Sequence, residues 1–216
     1  MKQIEKKTDL LLGFMILALV LSNFLGTKIT TILGVRVSVG IFFVPLMFLI
    51  TDVIAEVHGK KKAREFVYIS VFCLLFMLLM TWVAIKMPPN PTWGNQEAYA
   101  SVFGSTLRMT VASVIAFMLS QFHDVWAFHF WKEKTKGRFL WLRNNLSTLI
   151  SQLIDTTVFM FVAFYHINPK FTVPFIISLI IPYYLFKVAF AILDTPFVYL
   201  LVYWLRSSKD KVAAKA

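Results

Sequence analysis

The run LSTLISQLIDTTVFMFVAFY, residues 146–165, decides the fold. A helix rises about 1.5 Å per residue, so a stretch of this length just crosses a hydrocarbon core of roughly 30 Å. It lacks the alternation of a barrel strand, and in lipid a lone segment satisfies its backbone only as a helix. Two residues in it are out of place in hydrocarbon, Gln152 and Asp155. A charge near the centre of a membrane helix costs about 2.5–3.5 kcal/mol on insertion scales, so such a residue faces the bundle interior and marks a pathway or a site.

Working outward, runs of similar character cover approximately residues 10–33, 37–57, 66–85, 102–130 and 173–205. Hydrophobic residues make up 58% of the chain, charged residues 15%, and the mean hydropathy is +0.71. These values exclude an ordinary soluble domain. The expected fold is an all-α integral membrane protein, a single six-transmembrane-helix bundle over residues 1–216. The longest connection, residues 86–101, is rich in Pro and Asn and reads as a structured loop over the outer mouth. The first run is too long for a signal-peptide core and has no small-residue cleavage site, so it is expected to be retained.

Charge orients the bundle. Basic clusters at Lys2, Lys6 and Lys7, at 60–64, at 132–143 and at Arg206, Lys209, Lys211 and Lys215 alternate with segments holding only Arg36, Lys86 and Lys170. The positive-inside rule then predicts a multi-pass protein of the cell membrane, the inner membrane in a Gram-negative cell, with both termini cytoplasmic. The net charge of +11 follows from topology and from attraction to anionic headgroups of the lipid bilayer, and it requires no nucleic acid. The lone Cys73 excludes an internal disulfide and reads as a packing residue.

The candidate binding residues are the polar ones inside the runs: Asn23, Lys28, Asp52, Glu56, Gln121, Asp124, Gln152, Asp155, Lys187 and Asp194. Arg108 is also embedded, whereas the third run has no such residue and reads as a lipid-facing or packing helix. Gln121 with Asp124, and Gln152 with Asp155, are spaced three apart and share a helix face. Each pair offers an amide and a carboxylate to one spot, for a ligand or for a neighbouring helix. Asp52 and Glu56 share a face near a helix end that Gly59 should terminate, where the macrodipole disfavours acids. They read as ion pairs with Lys28 or Lys187, or as substrate or gating groups. A metal site of Asp52, Glu56 and His58 is poorly supported, and no cofactor site is expected. Pro45, Pro182 and Pro196 are candidate kinks.

No HExxH, GxSxG, P-loop or dinucleotide fingerprint occurs, so no catalytic residue is assigned. An aspartyl dyad of Asp124 and Asp155 is disfavoured by their different depths.

The motifs SNFLGTK, PLMFLITDVIAEVHGKKKAR, SQFHD, LRNNLSTLISQLIDTTVF and K-x6-DTPFVYL from Lys187 together resemble the queuosine precursor transporter family, also called the vitamin uptake transporter family. The resemblance covers all six runs in order, with His58 standing where a tyrosine is expected. It implies import of a small-molecule substrate, a 7-deazaguanine base such as 7-cyano-7-deazaguanine, 7-aminomethyl-7-deazaguanine or queuine, for queuosine in tRNA. A carboxylate and an amide suit the donor and acceptor edge of such a base, with Phe159, Phe43 or Tyr184 stacking on its faces. Two other readings stand beside it. One is a substrate-capture subunit of an energy-coupling-factor transporter, whose ATPase a partner would supply; the other is an intramembrane enzyme. No motif specifies an oligomer or an ATPase partner.

Overall fold

A computed structural model describes residues 2–32, 35–166 and 169–213. Among them are seven helices: α1 (Lys2–Phe24), α2 (Val44–His58), α3 (Lys60–Lys86), α4 (Gln96–Lys134), α5 (Leu140–Phe164), α6 (Val173–Leu193) and α7 (Thr195–Ala213). Six segments are long and apolar enough to cross a membrane, and they form the expected helical bundle. The main core lies between α1, α2, α3, α4 and α7, where Met15, Ile54, Phe66, Leu74, Phe128 and Leu205 are buried. The α4–α5 pair is the most extensive helix contact.

The basic clusters gather at one end. Lys7 of α1 donates to the Trp204 carbonyl of α7 at 2.7 Å, and residues from the ends of α2, α4 and α5 and from the second half of α7 meet at Glu56. Lys215 and the side chains of Lys2, Arg36, Lys209 and Lys211 lie outside the described residues. Gly59 joins α2 to α3 with φ +85°, a conformation that favours glycine, and so ends α2 where expected.

Three features depart from a plain reading of hydropathy. First, residues 25–43 are not helical membrane span throughout. Short 3₁₀ turns at Leu25–Thr27 and Val39–Phe42 flank an antiparallel hairpin of β1 (Ile29–Ile32) and β2 (Val35–Ser38). The sequences ITTI and VRVS are β-branched, which favours strand, but an apolar strand and an apolar helix look alike to a hydropathy window. Non-helical backbone is tolerated at membrane depth only where protein or a cavity satisfies it. Here the Val39 N–H donates to the Lys28 carbonyl, and the Ser38 N–H donates to the Tyr183 hydroxyl of α6. The hairpin's base fits tightly against α1: a Cβ added to Gly40 would stand 2.5 Å from the Ser22 carbonyl oxygen and 3.2 Å from Gly26 Cα.

Second, the sixth run is two helices broken at Asp194, because Pro196 lacks the N–H needed to continue a helix and suits the first turn of a new one. Along α7, Val198, Val202 and Leu205 enter the core while Phe197, Leu200 and Tyr203 stay exposed. Third, Pro45 lies in the first turn of α2 and starts that helix without bending it; Pro182 is inside α6. Of residues 86–101, read as one loop, Gln96 onward already belong to α4; the 87–95 connection is exposed and lines none of the cavity described next.

Candidate functional site

A cavity of about 90 Å³ lies between α1, the hairpin, α2, α4, α5 and α6, in the half of the bundle away from the basic end. One ordered water needs roughly 10–15 Å³ on this measure, so the space exceeds a solvent pocket. Its wall is largely apolar, with Phe117, Phe159 and Phe164, and its polar groups are few and specific. Asn23 donates through Nδ2 to the Leu19 carbonyl at 2.9 Å, and its buried Oδ1 has no partner among the described residues. The buried Thr156 hydroxyl likewise has none. Asp155 and Lys187 complete the lining, with Lys187 Nζ 2.7 Å from Asp155 Oδ2. The Ser120 hydroxyl donates to Asp155 Oδ1 at 3.3 Å.

One turn closer to the basic end, a seam of buried polar side chains crosses the helices. Gln121 and Asp124 come from α4, Gln152 and Thr148 from α5, and Asp52 from α2, and all five are essentially inaccessible to solvent. Thr148 donates to Asp52 Oδ2 at 3.2 Å, and the His123 ring shares a hydrogen bond with Ser151 at 2.9 Å. Asp52 and Asp124 face each other within interaction range, and Asp194 acts electrostatically on both. Neither amide atom of Gln121 or Gln152 has a hydrogen-bond partner among the described residues.

The basic end is closed by one acid. Glu56 receives Lys132 of α4 at 2.8 Å, Arg143 of α5 at 2.5 Å and Arg206 of α7 at 2.6 Å. Arg143 is wholly buried; it also donates to the Gly137 carbonyl at 2.8 Å and lies 5.3 Å from the Phe128 ring centre. His58, one turn on, meets the Thr8 hydroxyl of α1 at 2.9 Å. Among the described residues no three His, Cys, Asp or Glu side chains converge to hold a metal ion.

The ten residues singled out in the sequence thus divide. Asn23, Asp155 and Lys187 line the cavity, Asp52, Gln121, Asp124 and Gln152 form the seam, and Asp194 sits at the α6–α7 break. Glu56 belongs to the basic end, and Lys28 is exposed at the foot of the hairpin. Neither Lys28 nor Lys187 pairs with Asp52 or Glu56, because Glu56 lies level with the loop cations and Lys187 lies level with Asp155. Arg108 is also exposed and donates to the Tyr165 carbonyl at 3.0 Å.

From residue 38 to residue 201, a stretch that holds every seam residue together with Glu56, Lys132 and Arg143, the sequence matches the family described as "Putative vitamin uptake transporter". The chain belongs to the vitamin uptake transporter family. It is 31% identical over 183 residues to the "Probable queuosine precursor transporter" of Bacillus subtilis (strain 168), covering 84% of this chain and 79% of that protein. It is 28% identical over 179 residues to the "Queuosine precursor transporter" of Escherichia coli (strain K12), covering 83% of this chain and 78% of that protein. No solved structure matches it.

In this member of the vitamin uptake transporters, several side chains of the candidate site escape a reading of the sequence. Phe43 and Tyr184 stand outside the cavity wall, and the neighbouring Tyr183 lines it instead. Tyr183 precedes Lys187 by four residues, the spacing that places both on one face of α6, and this was the available signal. Ser120 and Thr156 are ordinary membrane-helix residues until their neighbours are known. Lys132, Arg143 and Arg206 carry an obvious topological signal that hides their second role.

Proposed function

We propose that this chain imports queuosine precursors across the cell membrane as a non-enzymatic carrier. Its substrates are 7-deazaguanine bases such as 7-cyano-7-deazaguanine, 7-aminomethyl-7-deazaguanine or queuine. The relatives' names supply the ligand class. The cavity supplies the observation that carries the site: an apolar, aromatic wall with a paired acid and base and with unpartnered buried acceptors on Asn23 and Thr156. A guanine-like edge presents adjacent N–H donors beside a carbonyl. Asp155 accepts from the donors, Lys187 donates to the carbonyl, and Asn23 Oδ1 takes a further N–H. Phe159 or Phe117 covers a face of the ring.

The orientation supported by the basic residues places the Glu56 cluster at the cytoplasmic face, with the cavity in the outer half. The cluster is then the inner gate, closed while the cavity receives its base from outside.

The test is complementation of a bacterium that cannot make 7-deazaguanines and lacks its own importer. Expression of this chain is expected to restore queuosine in tRNA from an external supply of at least one of the three bases. Unmodified tRNA with all three, from cells holding the folded protein in the membrane and the downstream enzymes, overturns the substrate assignment. Uptake by the purified protein alone in liposomes separates a self-sufficient carrier from a capture subunit that needs an ATPase. A C-terminal tag reported on the outer face overturns the orientation.

A further inference from the structure

The binding reading leaves one group of buried side chains unused. Asp52 of α2 and Asp124 of α4 face each other in the interior with 1% and 0% of their surfaces exposed. Among the described residues no donor closes a hydrogen bond of ordinary length on Asp52 Oδ1 or on either carboxyl oxygen of Asp124; the Ser147 and Ser151 hydroxyls of α5 stand near Asp124 at longer range. Nor does a cation among the described residues reach them. Lys187 of α6 is held by Asp155, while Lys132, Arg143 and Arg206 from α4, α5 and α7 are held by Glu56. The His123 ring of α4 is engaged by Ser151, and the further charged group acting on the pair is another acid, Asp194.

Two ionised carboxylates cannot face each other unpaired in a low-dielectric interior, whereas two carboxyls that share one proton form a strong hydrogen bond. A metal cation would also relieve the repulsion, but the acids do not converge as a metal site requires. The buried amides point to a small mobile ligand as well. Gln121 shares Asp124's face of α4, and Gln152 lies between Thr148, which binds Asp52, and Asp155, which floors the cavity. Both amides are fully buried and unpartnered, so the seam runs as hydrogen-bonding groups from the acid pair to the binding cavity.

We propose that import is coupled to protons, with one proton carried between the Asp52 and Asp124 carboxyls. An O–H bond forms on the pair with a proton from outside water while the cavity holds its base. When the basic end opens, that bond breaks and the proton leaves with the base. Nothing is oxidised or reduced. The proposal rests on the import reading, and its test separates the two.

Purified protein is reconstituted in liposomes with the membrane potential clamped, and labelled 7-cyano-7-deazaguanine, 7-aminomethyl-7-deazaguanine and queuine are followed in turn. With an acidic exterior, a transported base is expected to accumulate up to about tenfold per pH unit of gradient, the ratio a one-proton symport supports when the membrane potential contributes nothing. A protonophore abolishes the accumulation. Asp124→Asn is expected to lose accumulation while keeping exchange of labelled for unlabelled base without a gradient, and the exchange shows that it is folded. If Asp124→Asn does not insert, Asp52→Asn carries the same expectation. Exchange without any response to the pH gradient, accumulation driven by sodium instead, or full accumulation by both variants overturns the coupling and leaves the import reading intact. Absence of exchange by the wild-type protein for all three bases overturns the import reading, and the coupling with it.

Discussion

Asp155→Asn is expected to abolish uptake and to lower the melting temperature of the protein in detergent. Asparagine keeps the shape of the side chain, so the change acts through charge alone. It leaves the Lys187 ammonium, whose side chain is only 6% exposed, without the carboxylate that now sits 2.7 Å away. Removing one partner of a buried pair typically costs 3–5 kcal/mol, because the other charge stays buried and uncompensated. Lys187→Met should be harmful for the mirror-image reason. The informative variant is the double one, Asp155→Asn with Lys187→Met. A buried pair replaced by neutral groups is often no less stable, so most of the lost melting temperature should return. Uptake should not return, because the groups that read the base are gone. Wild-type uptake by the double variant would reduce the pair to a helix fastener.

The second large effect is expected at the other end. Glu56→Gln removes the shared acceptor of three cations, and the cost should follow their burial. Arg143, 1% exposed at its side chain, dominates; Arg206, 54% exposed, contributes little because water solvates it. Glu56→Gln should therefore cost several kcal/mol, about 3–5 from Arg143 alone, and release the N-terminal turns of α5 and the part of α7 around Arg206 to hydrogen exchange. Accumulated base should leak out, since the gate no longer seals. Arg206→Gln should change stability by about 1 kcal/mol or less. Equal losses from the two substitutions would show that burial does not rank these contacts.

The spans could be read from the sequence because length and hydropathy are properties of single segments. The acid and amide residues stood out because each is costly in hydrocarbon wherever its partner lies. Partner choice did not stand out: Asp155 with Lys187, and Glu56 with Arg143, join residues 32 and 87 positions apart, and only packing brings them together. The hairpin stayed hidden because ITTI and VRVS are four residues each and adjoin strongly apolar runs, so a hydropathy window averages them into their neighbours. The break at Asp194 was signalled by DTP, but the apolar residues on both sides made two helices look like one.

The close fit of Gly40 on Ser22 has a mechanical consequence. With no room for even a methyl group between them, α1 and the base of the hairpin behave as one jaw of a clamp. The opposing jaw is α6, which meets the hairpin and its base through the Ser38 N–H on the Tyr183 hydroxyl and through Phe42 edge-on to Phe186 and Phe190, and which bears a proline at its middle. A mouth built this way would widen by parting these few contacts and flexing α6, with α1 and the hairpin moving together.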